Sequence, residues 1–174
     1  MEIIITKLID TSELNSFSCG ISEIDHLIGE YLPDIFASNE SDIYVARIKD
    51  KDNPCAIFVL SKSLLVLDTY DIKELKGNYS DVPEEELRYE QFPAIEIDLL
   101  AVEKSLQHKH IGKTIIEQIT TNHSKFGFIN DLFILVDAYY EKGYTAIPFY
   151  EQCGFYPIGQ VTGGDTMRMF KPLE

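Results

Sequence analysis

Basic residues are scarce in this chain. Its 174 residues hold 15 Lys and Arg against 29 Asp and Glu, a net charge of −14. General attraction to nucleic acid or to an anionic membrane needs basic surface, so the excess of acid counts against both classes of partner. Cysteine is scarce too. Cys19, Cys55 and Cys153 are odd in number and lack metal-ligand spacing, which points to thiols in a reducing compartment and to no bound metal. No apolar run approaches the roughly 20 residues that cross a bilayer. The opening MEIIITKLIDTS lacks the basic stretch and long apolar core of a secretion signal. A cytoplasmic protein is therefore expected. Internal repeats and low-complexity linkers are also missing, so one domain over residues 1–174 is expected, as a monomer or homodimer.

What is present reads as alternating strand and helix. Residues 2–9, EIIITKLI, are rich in β-branched residues. Ser22 and Asp25 have the spacing of a capping box, and Ile24, Leu27, Ile28 and Tyr31 recur at helical spacing until Pro33 ends the pattern. Ile43–Lys49 and Ala56–Leu67 predict a hairpin around the turn DKDN. Residues 68–92 are polar, contain DVPEEELRYE, and read as a loop with room for one short helix. In AIEIDLLAV (94–102) Ile95, Ile97 and Leu99 share one face of a strand, and Glu96, Asp98 and Leu100 share the other. Ile111, Ile115, Ile116 and Ile119 then share a helix face. LFILVDA (132–138) predicts a buried strand. Thr145–Cys153 predicts a short helix closed by Gly154, and Phe155–Val161 with Thr166–Lys171 a final hairpin around TGGD. The fold class is α/β or α+β, with a mixed sheet.

Between the strand at 94–102 and the helix that follows stands QHKHIGKT (107–114), which has two readings. In the first it is a Walker A loop, G-x-x-x-x-G-K-[ST], with Gln107 in place of the first glycine, and LFILVD supplies a Walker B strand ending at Asp137. The chain would then bind a nucleotide. The missing glycine counts against this, because that loop wraps its backbone around phosphates.

In the second reading the loop is Q-x-x-G-x-G with His110 at the first glycine. That pattern, after a strand ending L-A-V and before a helix, resembles the coenzyme A pyrophosphate loop of the Gcn5-related N-acetyltransferases (GNAT). FYEQCGF (149–155) is similar to the family's closing Y-x-x-x-G-F signature, and it falls on the expected helix and strand. FSCGISEIDHLIGEYL (17–32) resembles the N-terminal helical segment of a branch that includes acetylating toxins. The resemblance covers nearly the whole chain. It implies a mostly antiparallel twisted sheet flanked by helices, with the pyrophosphate loop between the central strand and the main helix. It also implies an acyltransferase that moves an acetyl group from acetyl-CoA directly to an amine, without a metal. A non-catalytic acetyl-CoA-binding module is the alternative.

Site residues follow from the same resemblance. Gln107, His108, Lys109, His110, Ile111, Gly112 and Lys113 would hold the pyrophosphate, helped by backbone N–H groups at the helix start and by a local cluster of Lys104, Lys109 and Lys113 with His108 and His110. His at the glycine position is compatible with a left-handed backbone, which His adopts more readily than β-branched residues do. Leu100, Ala101 and Val102 would lie along the acetyl-pantetheine arm. Gly143 stands where the family often has a cofactor-contacting Asn, so that contact is not expected here. Tyr150 matches the family's general acid, and a tyrosine of pKa ~10 can protonate a thiolate of pKa ~8.5 when close. Glu96, eleven residues before Gln107, matches the catalytic Glu of histone-type members, and Asp98 on the same strand face could share the role of base. Cys153 reads as core packing, since direct transfer needs no enzyme thiol. The acidic segment 81–90 could attract a cationic acceptor, either a small amine or a Lys or N-terminus of a peptide.

Overall fold

The β-branched run at the start of the chain forms β1 (Ile3–Lys7) in a computed structural model that describes residues 2–67, 91–141, 143–158 and 165–173. The elements that follow are α1 (Ser22–Glu30), α2 (Leu32–Ser38), β2 (Asp42–Ile48), β3 (Pro54–Val66), β4 (Gln91–Val102), α3 (Ile111–Thr121), β5 (Phe133–Glu141), β6 (Tyr144–Thr145), α4 (Ile147–Gln152), β7 (Tyr156–Pro157) and β8 (Thr166–Pro172). The strands follow the order β1-β2-β3-β4-β5-β8-β7, with β6 paired to β5. The pairs β1/β2, β2/β3, β5/β6, β5/β8 and β7/β8 are antiparallel. β4 stands at the middle of the order and runs directly into the loop before α3.

Two compact units divide the chain, one of Met1–Ser61 with Ile97–Asn122 and the other of Lys62–Glu96 with His123–Glu174. In the first, Ile28 and Leu32 of the helices, Ile43 and Val45 of β2, Ile57 and Val59 of β3, and Leu99 and Ala101 of β4 form one buried cluster. In the second, Phe92 and Ala94 of β4 and Phe133 and Leu135 of β5 join Phe170 of β8, with the rings of Phe92, Phe133 and Phe170 meeting edge to face. The alternation expected of β4 is present. Ile95, Ile97, Leu99 and Ala101 are buried, whereas Glu96, Leu100 and Val102 are half-buried and Asp98 is exposed. The isoleucine face of α3 is buried throughout.

The N-terminal helical segment departs from the sequence pattern. Ser22 is the first residue of α1, its N-cap is Ile21, and no side chain caps it. Asp25 turns away from a capping-box role. Its carboxylate accepts from Cys19 N (2.7 Å), Ser18 Oγ (2.6 Å) and Gly20 N (3.2 Å), all in the segment that precedes the helix. Pro33 does not end the helical pattern. It sits in the first turn of α2, where its missing N–H costs nothing. Leu27 and Tyr31, assigned to the apolar face, are exposed, and Ile24, Ile28, Leu32 and Ile35 carry the packing. The segment read as a loop at 68–92 ends early, since Gln91 and Phe92 already belong to β4, and residues 68–90 and 159–164 lie outside the described residues.

Ile119 is fully buried on α3. Ile119→Ala should lower stability by about 2–5 kcal/mol, read as a drop in the urea midpoint at unchanged slope. His110, the N-cap of α3, has φ 63° in the left-handed region. His110→Gly should be neutral to stabilising by up to about 1 kcal/mol in the same titration, because relief of the Cβ clash outweighs the added freedom of the unfolded chain.

Candidate active site

The first unit carries the loop. β4 ends at Val102, a single tight turn occupies Lys104–Leu106, and two left-handed residues, His108 (φ 61°) and His110 (φ 63°), bend the chain into α3. His110 thus keeps the backbone path that glycine would take, as expected. A second left-handed histidine, His108, was not anticipated. No side chain caps α3, so the N–H groups of Ile111, Gly112 and Lys113 in its first turn have no capping side chain, the arrangement from which helix-start anion sites are built. The Ile111 side chain is buried, so only its backbone is available to a ligand. His108, Lys109 and His110 are exposed, and Lys113 sits 4.0 Å from Glu117 one turn on. Gln107 points elsewhere. Its side-chain amide donates to the carbonyls of Cys19 (2.7 Å) and Val102 (3.1 Å).

This arrangement does not fit a Walker A site. The registered strand pairs are antiparallel, whereas a P-loop belongs to a parallel sheet. Asp137 lies within β5 rather than at its end, and it faces Arg168 of β8 in direct register. Arg168 donates Nε–H and an Nη2–H to the two oxygens of Asp137 at 2.8 Å each, a fork geometry that also fixes the guanidinium plane.

The same Arg168 reaches Glu96 at 2.7 Å. Glu96, Asp137 and Arg168 all belong to the second unit, on β4, β5 and β8. The carboxylates raise the affinity of Arg168 for its proton further, the Asp137 hydrogen bonds first among the causes and the charges of Glu96 and Asp137 with them, against a smaller effect of burial. Sequence reasoning missed Arg168, since nothing in TMRMF marks it. Only the pairing of β8 with β5 places it opposite Asp137. Asp98, in the first unit, accepts from Ser61 Oγ at 3.0 Å on the neighbouring β3. Leu100 and Val102 are half-buried on the same face of β4, with buried Ala101 between them.

Tyr150 lies in α4, in the second unit, and is buried with 5% exposure. Its ring packs edge to face against Phe149 and Phe155, with centroids 5.0 and 5.4 Å away. Gly154 (φ 85°) ends the helix and lets Phe155 N return to Tyr150 O at 3.0 Å, so the Y-x-x-x-G-F spacing builds this aromatic nest locally. Among the described residues the Tyr150 hydroxyl has no hydrogen-bond partner. Burial, with smaller effects of Tyr144 and Cys153, pushes its pKa above the ordinary tyrosine value. The three cysteines are buried and unbridged. Burial raises the Cys19 thiol to about 11 and raises Cys55 as well, so neither is poised as a nucleophile. Among the described residues no group of three or more His, Cys, Asp or Glu is placed to hold a metal, and no helix is long and apolar enough to cross a membrane. The acidic segment 81–90 lies outside the described residues.

No protein-family profile matches the sequence, and no curated protein matches it. Solved structures do match in fold. A crystal structure of AtaTR bound with acetyl-CoA superposes with TM-score 0.69 at 21% identity, over 98% of this chain and 94% of that one. AtaT complexed with acetyl-methionyl-tRNAfMet gives 0.69 and 21% over 98% and 95% of the two chains. A bacterial toxin gives 0.72 and 14% over 99% and 91%. A protein of this fold thus holds a tRNA, so the expectation that nucleic acid is an unlikely partner is not supported. These likenesses extend over nearly the whole chain, and with the mostly antiparallel sheet they show that the chain has the fold of the Gcn5-related N-acetyltransferases.

Proposed function

We propose that the chain is an acetyl-CoA-dependent N-acetyltransferase that moves an acetyl group directly to an amine. The loop from β4 to α3 carries this reading. It presents unpaired N–H groups at a helix start beside Lys104, Lys109 and Lys113, in a protein of charge −14. A polyanionic coenzyme fits that island of positive potential. A neighbour of the same fold was solved with acetyl-CoA, which supports the same assignment.

The thioester supplies an activated acetyl group that a neutral amine attacks. On this reading the amides of Ile111, Gly112 and Lys113 hold the phosphates, with His108, Lys109 and His110 around them, and the backbone of Leu100, Ala101 and Val102 lies along the pantetheine arm. Glu96, or Asp98 on the same strand face, takes the proton that the acceptor must lose, since an alkylamine has pKa ~10.4. Arg168 donates to Glu96 and holds this carboxylate in one orientation, while Asp98 stands two residues on along the same strand face. Tyr150 donates its proton to the departing thiolate. A hydroxyl buried among aromatic rings with no partner among the described residues is costly unless used, which favours an enzyme over a mere coenzyme-binding module.

The acceptor we favour is a small cationic amine or the Lys or N-terminus of a peptide, on the strength of the net charge. Charged tRNA is the second reading, because AtaT was solved with an acetylated aminoacyl-tRNA. Transfer of labelled acetyl should be faster to cationic amines or peptides than to aminoacyl-tRNA at physiological salt, and the reverse order would make tRNA the substrate.

Tyr150→Phe should leave acetyl-CoA binding intact, read calorimetrically, and lower turnover by roughly 10²–10⁴-fold, read by thiol release. The wild-type rate should rise with pH as the acceptor deprotonates. It should show no falling limb below about pH 10, because burial holds Tyr150 protonated beyond its ordinary range. A Tyr150→Phe variant with unchanged chemistry, or a wild type that binds ATP with Mg²⁺ but not acetyl-CoA, would defeat the assignment.

A further inference from the structure

Gln107 opens the coenzyme loop, yet its side chain is turned into the protein. The two hydrogens of its amide nitrogen go to two backbone carbonyls, Cys19 at 2.7 Å and Val102 at 3.1 Å. Both partners are acceptors, so the nitrogen must face them, since the opposite orientation would set oxygen against oxygen. With both hydrogens engaged, Nε2 has none left for a phosphate, and Oε1 would repel one.

The segment that Gln107 grips is held from three more directions. Lys104 N donates to Ser18 O at 2.9 Å. The Asp25 carboxylate gathers the Ser18 hydroxyl and the Cys19 and Gly20 amides. Burial alone would push that carboxyl up, but the hydrogen bonds from Ser18, Cys19 and Gly20 outweigh it and hold the group below its usual range. Gly20 has φ 81°, and a Cβ there would stand 2.7 Å from Lys104 Cδ, so the lysine stem lies flat against a residue that has no side chain to move aside. Residues 18–20, Asp25, Lys104 and Gln107 thus form one polar network within the first unit, joining the entry to α1 with the start of the loop.

We propose that Gln107 is a positioning residue for the coenzyme site. It sets the backbone path of the loop by tying it to Cys19 and to the last residue of β4, so that Asp25, which lies in α1 and outside the loop, tunes the loop's affinity for the coenzyme phosphates. The proposal rests on the acetyl-CoA reading, and it differs from a direct role of the Gln107 side chain on the pyrophosphate in one measurable respect. A direct contact would act independently of Asp25, whereas the network makes the two residues parts of one unit.

The experiment is a double-mutant cycle on acetyl-CoA affinity in the full chain, with Gln107→Leu, Asp25→Asn and both together, at a temperature where all remain folded. Each single change should weaken binding by roughly tenfold, the loss of one or two hydrogen bonds' worth of positioning, and the double variant should be little weaker than the singles. Kinetically the KM for acetyl-CoA should rise while kcat and the acceptor KM hold, a split that loss of global stability would not produce. Hydrogen exchange of the ligand-free Gln107→Leu protein should quicken at the Cys19 and Gly20 amides. Multiplicative losses in the double variant, with unchanged exchange at those amides, would overturn the proposal in favour of direct phosphate contact. If Gln107→Leu does not fold, Gln107→Met, which keeps length and loses only the donors, takes its place. A wild type that fails to bind acetyl-CoA would refute the coenzyme reading, while the exchange measurement would still decide whether Gln107 holds Cys19 in place.

Discussion

In β4 successive side chains point to opposite faces, and the rest of the structure depends on that alternation. Ala94 and Ile95 and then Ile97, Leu99 and Ala101 are buried, which leaves Glu96, Asp98, Leu100 and Val102 on the other face. A slip of one residue would bury two carboxylates and expose three large apolar side chains, so the register is held by several kcal/mol of hydrophobic transfer. Because β4 sits at the middle of the strand order, its pleat decides both which acids remain accessible and where the chain emerges to form the loop. The position of α3, and with it the direction of its unpaired amides, follows from where Val102 ends the strand.

Charge is distributed to match. The chain carries −14 overall, yet Lys104, Lys109, Lys113 and two histidines fall within ten residues around the start of α3. Much of the other basic charge among the described residues is tied up locally, as in Lys7 with Asp42, Arg47 with Glu13, Lys49 with Glu2, and Arg168 with Glu96 and Asp137. Paired cations contribute little to long-range potential. A helix start beside Lys104 and Lys109, neither in an ion pair among the described residues, therefore stands out as a candidate anion site even in an acidic protein, whereas Lys113 is partly offset by Glu117.

Arg168 illustrates how a candidate base can also be one end of a structural ion pair. Its fork to Asp137 aligns β8 with β5, and the contact to Glu96 extends the alignment to β4. The pairs are partly exposed, so their contribution to stability is modest. Their larger effect is to hold the Glu96 carboxylate in one orientation. Tyr150 is the complementary case. Its environment is aromatic, its hydroxyl stays protonated, and the geometry comes from a helix and a glycine turn close by in sequence.

Local pattern determined a great deal here. The period-2 alternation of 94–102, the isoleucine face of 111–119, the apolar run of β5 and the glycine closing α4 each fixed an element, because each is a property of neighbouring residues and of backbone geometry alone. The loop between β4 and α3 was legible for the same reason, down to a histidine that accepts the left-handed conformation. The tertiary structure decided what local pattern could not. Asp25 carries the spacing of a capping box, yet it serves the backbone of residues 18–20, since that segment folds back toward the end of β4 and offers stronger donors. Glu96 meets Arg168 across 72 positions of sequence and Gln107 meets Cys19 across 88, and such partners depend on strand order and register. Periodicity tells which face a side chain occupies. The neighbour it finds there is set only once distant strands have paired, and that pairing turned a candidate base into one end of an ion pair and a candidate phosphate ligand into a clamp.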